Sequence, residues 1–292
     1  MQIGIAGIGK MGAAIAARLI ELGHQVTVWN RTCEKTKPLA DAGAQVAKEP
    51  ADLARRAEAI ITILTDAAAI DAVYGGPAGL LAADVNGKLF IEMSTVQPQT
   101  QIALSEKVRA RGAAFVECPV GGTTGPARQG KLIGLAGGGE ADFARAKPIL
   151  DQLCRRLEHC GGVGAGATMK LAINLPLMVY WQALGEALAI SRHLKFDPAR
   201  MMELLSETSG GPNVLKVRGP AIAQMLSGVD GGAGTFNLDS GRKDLRTMLA
   251  EAKARGVALP LVERTLACFD ETSKAGWGAR DASSQAIFWS RK

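Results

Sequence analysis

The strongest constraint on this chain lies in its first dozen residues. A strand-like run, Gln2–Ala6, passes directly into Gly7-Ile8-Gly9-Lys10-Met11-Gly12, and apolar residues at helical spacing continue over Met11–Leu22. Glycines at this spacing have separate physical duties. Gly7 permits a tight turn, Gly9 lets the backbone approach a pyrophosphate, and Gly12 lets the helix pack closely on the strand. The helix N-terminus then offers free N–H groups and a positive dipole end to the phosphates. GxGxxG alone is weak, but between a strand and a helix it predicts a dinucleotide site built on Gly7, Gly9, Lys10, Met11 and Gly12.

The next strands extend the same pattern. Short apolar runs at Gln25–Trp29, Ala59–Leu64, Leu89–Glu92, Ala114–Cys118 and Leu132–Ala136 alternate with helix-like stretches such as Thr100–Arg111. Strands separated by helices imply βαβ units, hence a doubly wound, Rossmann-type α/β domain with a mainly parallel sheet. Leu64, at the end of its strand, joins the expected cofactor set. The rhythm stops near Gly161, where Gly-Gly-Val-Gly-Ala-Gly-Ala reads as a flexible connection.

The rest of the chain reads as helical. The apolar pattern from Thr168 to about His193 fits one helix of roughly 40 Å, with a kink expected at Pro176. Further helices are expected at Pro198–Ser206, Arg218–Leu226, Arg242–Arg255 and Pro260–Lys274. A chain of 292 residues suits two domains,. The division expected is 1–163 for the Rossmann-like domain and 164–292 for an all-α domain linked by the long helix.

The end of the second strand discriminates between cofactors. Sites for NAD place a carboxylate there to bind the ribose 2′-hydroxyl. This chain has Val28-Trp29-Asn30-Arg31-Thr32 instead, with Lys35 close behind. A guanidinium forks onto a phosphate and gains nothing from a bare hydroxyl. Asn30, Arg31, Thr32 and Lys35 therefore point to NADP(H).

Composition excludes other classes. The net charge is +6, but no stretch strings five or more Lys/Arg together, and aromatic residues are only 4%, so nucleic-acid binding is not expected. Leu171–Ile190 is apolar over a membrane-span length, yet it carries Asn174, Pro176, Gln182 and Glu186, which lipid would penalise. No membrane association is expected. Five cysteines form no CxxC pair and the three histidines are isolated. That pattern argues for reduced thiols in the cytoplasm and against a metal site. The opening residues have no basic lead of the kind a signal peptide carries.

Five blocks in order, Gly7–Gly12, Glu92-Met93-Ser94-Thr95, Pro119-Val120-Gly121-Gly122-Thr123, Gly164–Asn174 and Lys243-Asp244-Leu245, resemble the β-hydroxyacid dehydrogenase family over essentially the full length. The resemblance implies an NADPH-dependent enzyme of the 3-hydroxyisobutyrate dehydrogenase type, interconverting a small aldehyde or keto acid and its hydroxy acid. It implies Lys170 as the acid/base and Asn174 as a substrate-positioning partner. Residues four apart share a helix face, so both point the same way. It also implies Thr95 near the nicotinamide ribose, Lys243 near cofactor and substrate, and a homo-oligomer, dimer or tetramer. Met178 and Trp181 continue the Lys170 stripe as pocket wall or core.

One departure stands out. Family members typically read Asp-Ala-Pro-Val-Ser-Gly-Gly in the substrate loop. This chain reads Glu117-Cys118-Pro119-Val120-Gly121-Gly122-Thr123-Thr124. Gly121 replaces the serine that binds substrate, leaving backbone N–H groups of Gly121 and Gly122 and the hydroxyls of Thr123 or Thr124. The rival readings are an imine reductase or reductive aminase, whose members commonly replace the lysine, and a non-catalytic NADPH-binding module.

Overall fold

The computed structural model describes residues 1–292, in two compact units, Met1–Ala172 and Ile173–Lys292. The first unit holds nine strands: β1 Gln2–Ala6, β2 Gln25–Trp29, β3 Gln45–Val46, β4 Ala59–Thr62, β5 Leu89–Glu92, β6 Ala114–Glu117, β7 Val120–Gly121, β8 Leu132–Gly137 and β9 Cys154–Gly161. They form one sheet in the order β3-β2-β1-β4-β5-β6-β8-β7, with β9 against β8. The first six strands are parallel. β8 runs antiparallel to β6 and β7 and parallel to β9.

Helices α1 Lys10–Glu21, α2 Lys37–Asp41, α3 Pro50–Arg56, α4 Ala67–Tyr74, α5 Pro98–Arg109, α6 Thr124–Arg128 and α7 Glu140–Leu153 connect these strands. The alternation of strand side chains decides the packing. Ile61, Ile91 and Val116 join Ile15, Leu19, Ile149 and Leu150 in one core. Their neighbours Ile60, Phe90 and Phe115 join Leu53, Leu104 and Val108 in a second. Both faces of the central strands are covered, as a parallel sheet requires. The chain leaves β1 toward β3 and resumes on the other side at β4, and that reversal makes the crevice where ligands of doubly wound sheets bind.

The second unit is helical. Its helices are most of α8 Ala165–Ser191, then α9 Pro198–Glu207, α10 Asn213–Leu226, α11 Leu238–Arg255, α12 Pro260–Thr272 and α13 Ser284–Ser290. Asp197 and Asn237 cap α9 and α11, their side chains accepting from the amides of Arg200 and Ser240 at 2.9 Å each. Gly256, at φ 66°, ends α11 in the left-handed conformation, the usual helix stop. Met178, Trp181, Leu245, Met248 and Phe269 form part of the buried interior. No helix is long and apolar enough to cross a membrane.

The structure corrects several expectations. The glycine stretch after Gly161 is not a loose connector. Gly161 closes β9 and α8 begins at Ala165, with Gly166 so close to β8 that a Cβ there would stand 2.2 Å from the Leu135 carbonyl oxygen. The glycines serve close packing. β9 is hidden in the sequence because it pairs with β8 alone and its residues 155, 156, 158 and 159 are exposed and polar. Lys243 does not open its helix. Capped by Asn237, α11 starts at Leu238, so Lys243 lies in its second turn. α8 is one helix through Pro176, as the apolar pattern suggests, but it begins at Ala165, three residues before Thr168.

Candidate active site

Each glycine of the first turn answers a steric demand. Gly7 has φ 100°, and a Cβ on it would stand 2.1 Å from the Ile63 carbonyl oxygen. A Cβ on Gly12 would stand 2.1 Å from the Gly7 carbonyl oxygen. Gly9 differs, because a Cβ there would meet nothing within 4 Å. Its bare backbone faces open space, and no side chain caps α1 at this residue. Uncapped N–H groups beside an open glycine fit a pyrophosphate, so this turn suits a dinucleotide.

The turn is held in place by its neighbours. The Gly7 amide donates to the Trp29 carbonyl at 3.0 Å. The Ile8 amide donates to Asn30 Oδ1 at 3.0 Å, and Asn30 Nδ2 donates to the Thr32 carbonyl at 2.8 Å. Asn30 is therefore a brace between β2 and the glycine turn. Arg31, Thr32 and Lys35 are exposed just beyond it, where a 2′-phosphate could be met from solvent. Leu64 is half-buried against the same turn, its Cδ2 lying 3.1 Å from the Cβ position of Gly7.

Below the turn, the ends of β4 and β5 carry a buried polar group. The Leu64 amide donates to Ser94 Oγ at 2.8 Å. The Ser94 amide donates to both oxygens of Glu92 at 3.1 Å, and Ser94 Oγ and Gln101 Nε2 also donate to that carboxylate. Burial raises the Glu92 carboxyl above its ordinary range, partly offset by the Gln101 and Ser94 bonds. Thr95 comes next, half-buried. The family resemblance includes Glu92 and Ser94 in its block but gives a role only to Thr95; the bonds of Glu92 and Ser94 fix the loop that carries it.

Lys170 lies in the second turn of α8 and is only 9% exposed; Asn174, one turn further, is 6% exposed. Within the second unit, Asn174 Nδ2 donates to Asp244 Oδ2 at 2.9 Å. Lys243 Nζ pairs with Asp244 Oδ1 at 2.8 Å. Asp244, 2% exposed, thus orients both side chains, a role that its place in the Lys243-Asp244-Leu245 block does not by itself assign. Met178 and Trp181, at 0% and 3% exposure, belong to the core.

Two family models cover nearly the whole chain. Residues 2–162 match the family model of the NAD binding domain of 6-phosphogluconate dehydrogenase. Residues 164–288 match that of the NAD-binding region of NADP-dependent 3-hydroxyisobutyrate dehydrogenase. The chain is 32% identical to glyoxylate/succinic semialdehyde reductase 1 of Arabidopsis thaliana, over 100% of both chains. The chain belongs to the β-hydroxyacid dehydrogenase family. It is also 33% identical to the 3-hydroxyisobutyrate dehydrogenase of Pseudomonas aeruginosa, over 89% of this chain and 88% of that one. The crystal structure of a 3-hydroxyisobutyrate dehydrogenase from Salmonella typhimurium shares the fold at a TM-score of 0.87 and 24% identity, covering 99% of each chain. As a β-hydroxyacid dehydrogenase, the protein is an NADP(H)-dependent oxidoreductase.

Within this β-hydroxyacid dehydrogenase, the loop that departs from the family pattern is β7 and the start of α6. Gly122 has φ 125°, a conformation that favours glycine,. Gly121 has no such need. A Cβ there would meet Ile133 only at an ordinary 3.7 Å, so the backbone does not require glycine. The loss of the family's serine is a change of chemistry at the loop, not a demand of packing. Thr123 precedes α6 as its N-cap residue without a side-chain cap bond, and Thr123 and Thr124 are both half-buried.

Proposed function

We propose that the protein interconverts a small aldehyde or keto acid and its hydroxy acid, with Lys170 as general acid and base. The observation that carries this reading is a lysine and an asparagine, both buried, one turn apart on the otherwise largely apolar α8. The names of the relatives, glyoxylate/succinic semialdehyde reductase and 3-hydroxyisobutyrate dehydrogenase, suggest the substrate class. NADPH, when bound, supplies the hydride that reaches the carbonyl carbon. In that direction Lys170 Nζ gives a proton to the carbonyl oxygen; in the other it takes the proton of the alcohol. Asn174, oriented by Asp244, positions the substrate. Gly7, Gly9, Lys10, Met11 and Gly12 hold the pyrophosphate, Arg31 with Thr32 and Lys35 holds the 2′-phosphate, and Leu64, Thr95 and Lys243 complete the cofactor contacts. Backbone amides of Gly121 and Gly122 with a hydroxyl of Thr123 or Thr124 take the place of the loop serine.

We place the functional division at 163/164, where the two family matches meet, ahead of the boundary in compactness at Ala172. Met169, Ile173 and Ile190 on α8 are 45%, 47% and 78% exposed, which supports a homo-oligomer. Free thiols at all five cysteines suit the cytosol. The test is NADPH consumption at neutral pH against small aldehyde acids and cyclic imines. Turnover of an aldehyde acid is expected; turnover of imines alone would replace this reading with a reductive aminase.

A further inference from the structure

Two carboxylates are wholly buried at the carboxyl ends of neighbouring parallel strands, Glu92 on β5 and Glu117 on β6, opposite one another in register. Glu92 is satisfied by Ser94 and Gln101, close by in sequence. Glu117 looks elsewhere. Its Oε1 accepts from the amides of Gly164 at 2.6 Å and Gly166 at 3.1 Å, and its Oε2 accepts from the amide of Ala167 at 3.3 Å. These are amides at the start of α8, where the helix itself provides no acceptor and a negative charge is favoured by the dipole.

The recess is built to admit this carboxylate. A Cβ on Gly137 would stand 2.3 Å from Glu117 Oε1 and 3.0 Å from the Gly166 nitrogen. Gly166 is held as close to the Leu135 carbonyl. Burying a charged side chain costs stability, and an apolar residue of similar size would fill the space without that cost. The carboxylate instead adds a tie, 47 to 50 residues away in sequence, that fixes the position of a helix start. Lys170 lies four residues beyond Gly166, one turn along the same helix.

We infer that Glu117 is a positioning residue of the reaction: it pins the first turn of α8 and thereby sets where the Lys170 amine stands, an inference that rests on the acid/base role proposed for Lys170. Displacing a reacting group by about 1 Å can cost on the order of 10²-fold in rate, so the tie has a kinetic consequence and not only a structural one.

The experiment compares Glu117→Gln, Glu117→Asp and Lys170→Ala in the full chain with NADPH bound. Glutamine keeps the volume but cannot ionise and turns an NH₂ toward an amide. Aspartate keeps the carboxyl group and is one methylene shorter. Hydrogen exchange of the 164–167 amides is expected to quicken at least ~10-fold in Glu117→Gln, as expected when a protecting bond is lost. Turnover of the aldehyde acid found in the panel should fall about tenfold or more, with NADPH affinity within about twofold, since the glycine turn is untouched. Aspartate should retain more activity than glutamine. A space-filling role gives the reverse order, and that order, or unchanged exchange, overturns the inference. Lys170→Ala should leave exchange at 164–167 as it is. If it also leaves turnover intact, the acid/base reading fails, and that failure shows in this variant alone. Should Glu117→Gln not bind NADPH, Gly137→Ala drives a methyl against the same oxygen and is expected to produce the same quickened exchange; normal exchange there overturns the inference.

Discussion

Asn30 and Arg31 are adjacent and have opposite tasks. Asn30 spends its amide on Ile8 and Thr32, so it shapes the glycine turn from within. Arg31 is exposed and holds its charge ready for a ligand. The proposed 2′-phosphate contact therefore predicts that Arg31→Ala weakens NADPH binding about tenfold, the worth of one charge-assisted hydrogen-bonded pair. NADH binding should change little. Fluorescence titration with both cofactors checks this, and an equal loss for the two would move the phosphate site away from Arg31.

At the scale of elements, helix starts decide where functional groups stand. α11 is set by Asn237, whose side chain accepts from the Ser240 amide. Asn237→Ala should cost about 1 kcal/mol, the usual worth of such a cap, read as a lowered denaturation midpoint with unchanged slope. That cap also explains why Lys243 lies further into its helix than the apolar pattern indicates, since the pattern registers the first core-facing residues and not the polar turn before them. Strands β1, β2 and β5 have the bounds their sequences suggest, because a buried apolar run ended by polar or glycine residues has little freedom. β9 and α13 escape notice in the sequence, one for its charged edge and the other for its short length. The glycine turn is legible because each glycine's requirement is local. Glu117 and the Asn174–Asp244 bond are not, because the Glu117 partners lie 47 to 50 residues away and Asn174 lies 70 from Asp244, and only the fold brings them together.

For the molecule as a whole, the buried carboxylates leave a signature in stability. Burial, opposed by the Gly164 and Ala167 amides and reinforced by Glu92, pushes the Glu117 carboxyl from its ordinary 4.5 up to about 7. The unfolded chain gives up that proton near 4.5 while the folded chain keeps it to about 7, so folding takes up a proton in between. Glu117 thus makes the protein less stable as pH rises through this window, and Glu92, raised in the same direction, adds to the slope. Melting temperatures taken between pH 5 and 8 should decline less in Glu117→Gln than in the wild type; equal slopes would remove Glu117 as a cause. The central claim, that Lys170 exchanges the proton, is tested most directly by kcat for the aldehyde acid in Lys170→Ala, at saturating NADPH. The account predicts a fall of at least ~10²-fold, the scale of general acid–base catalysis, with NADPH affinity retained. Turnover at the wild-type level in that variant would contradict it.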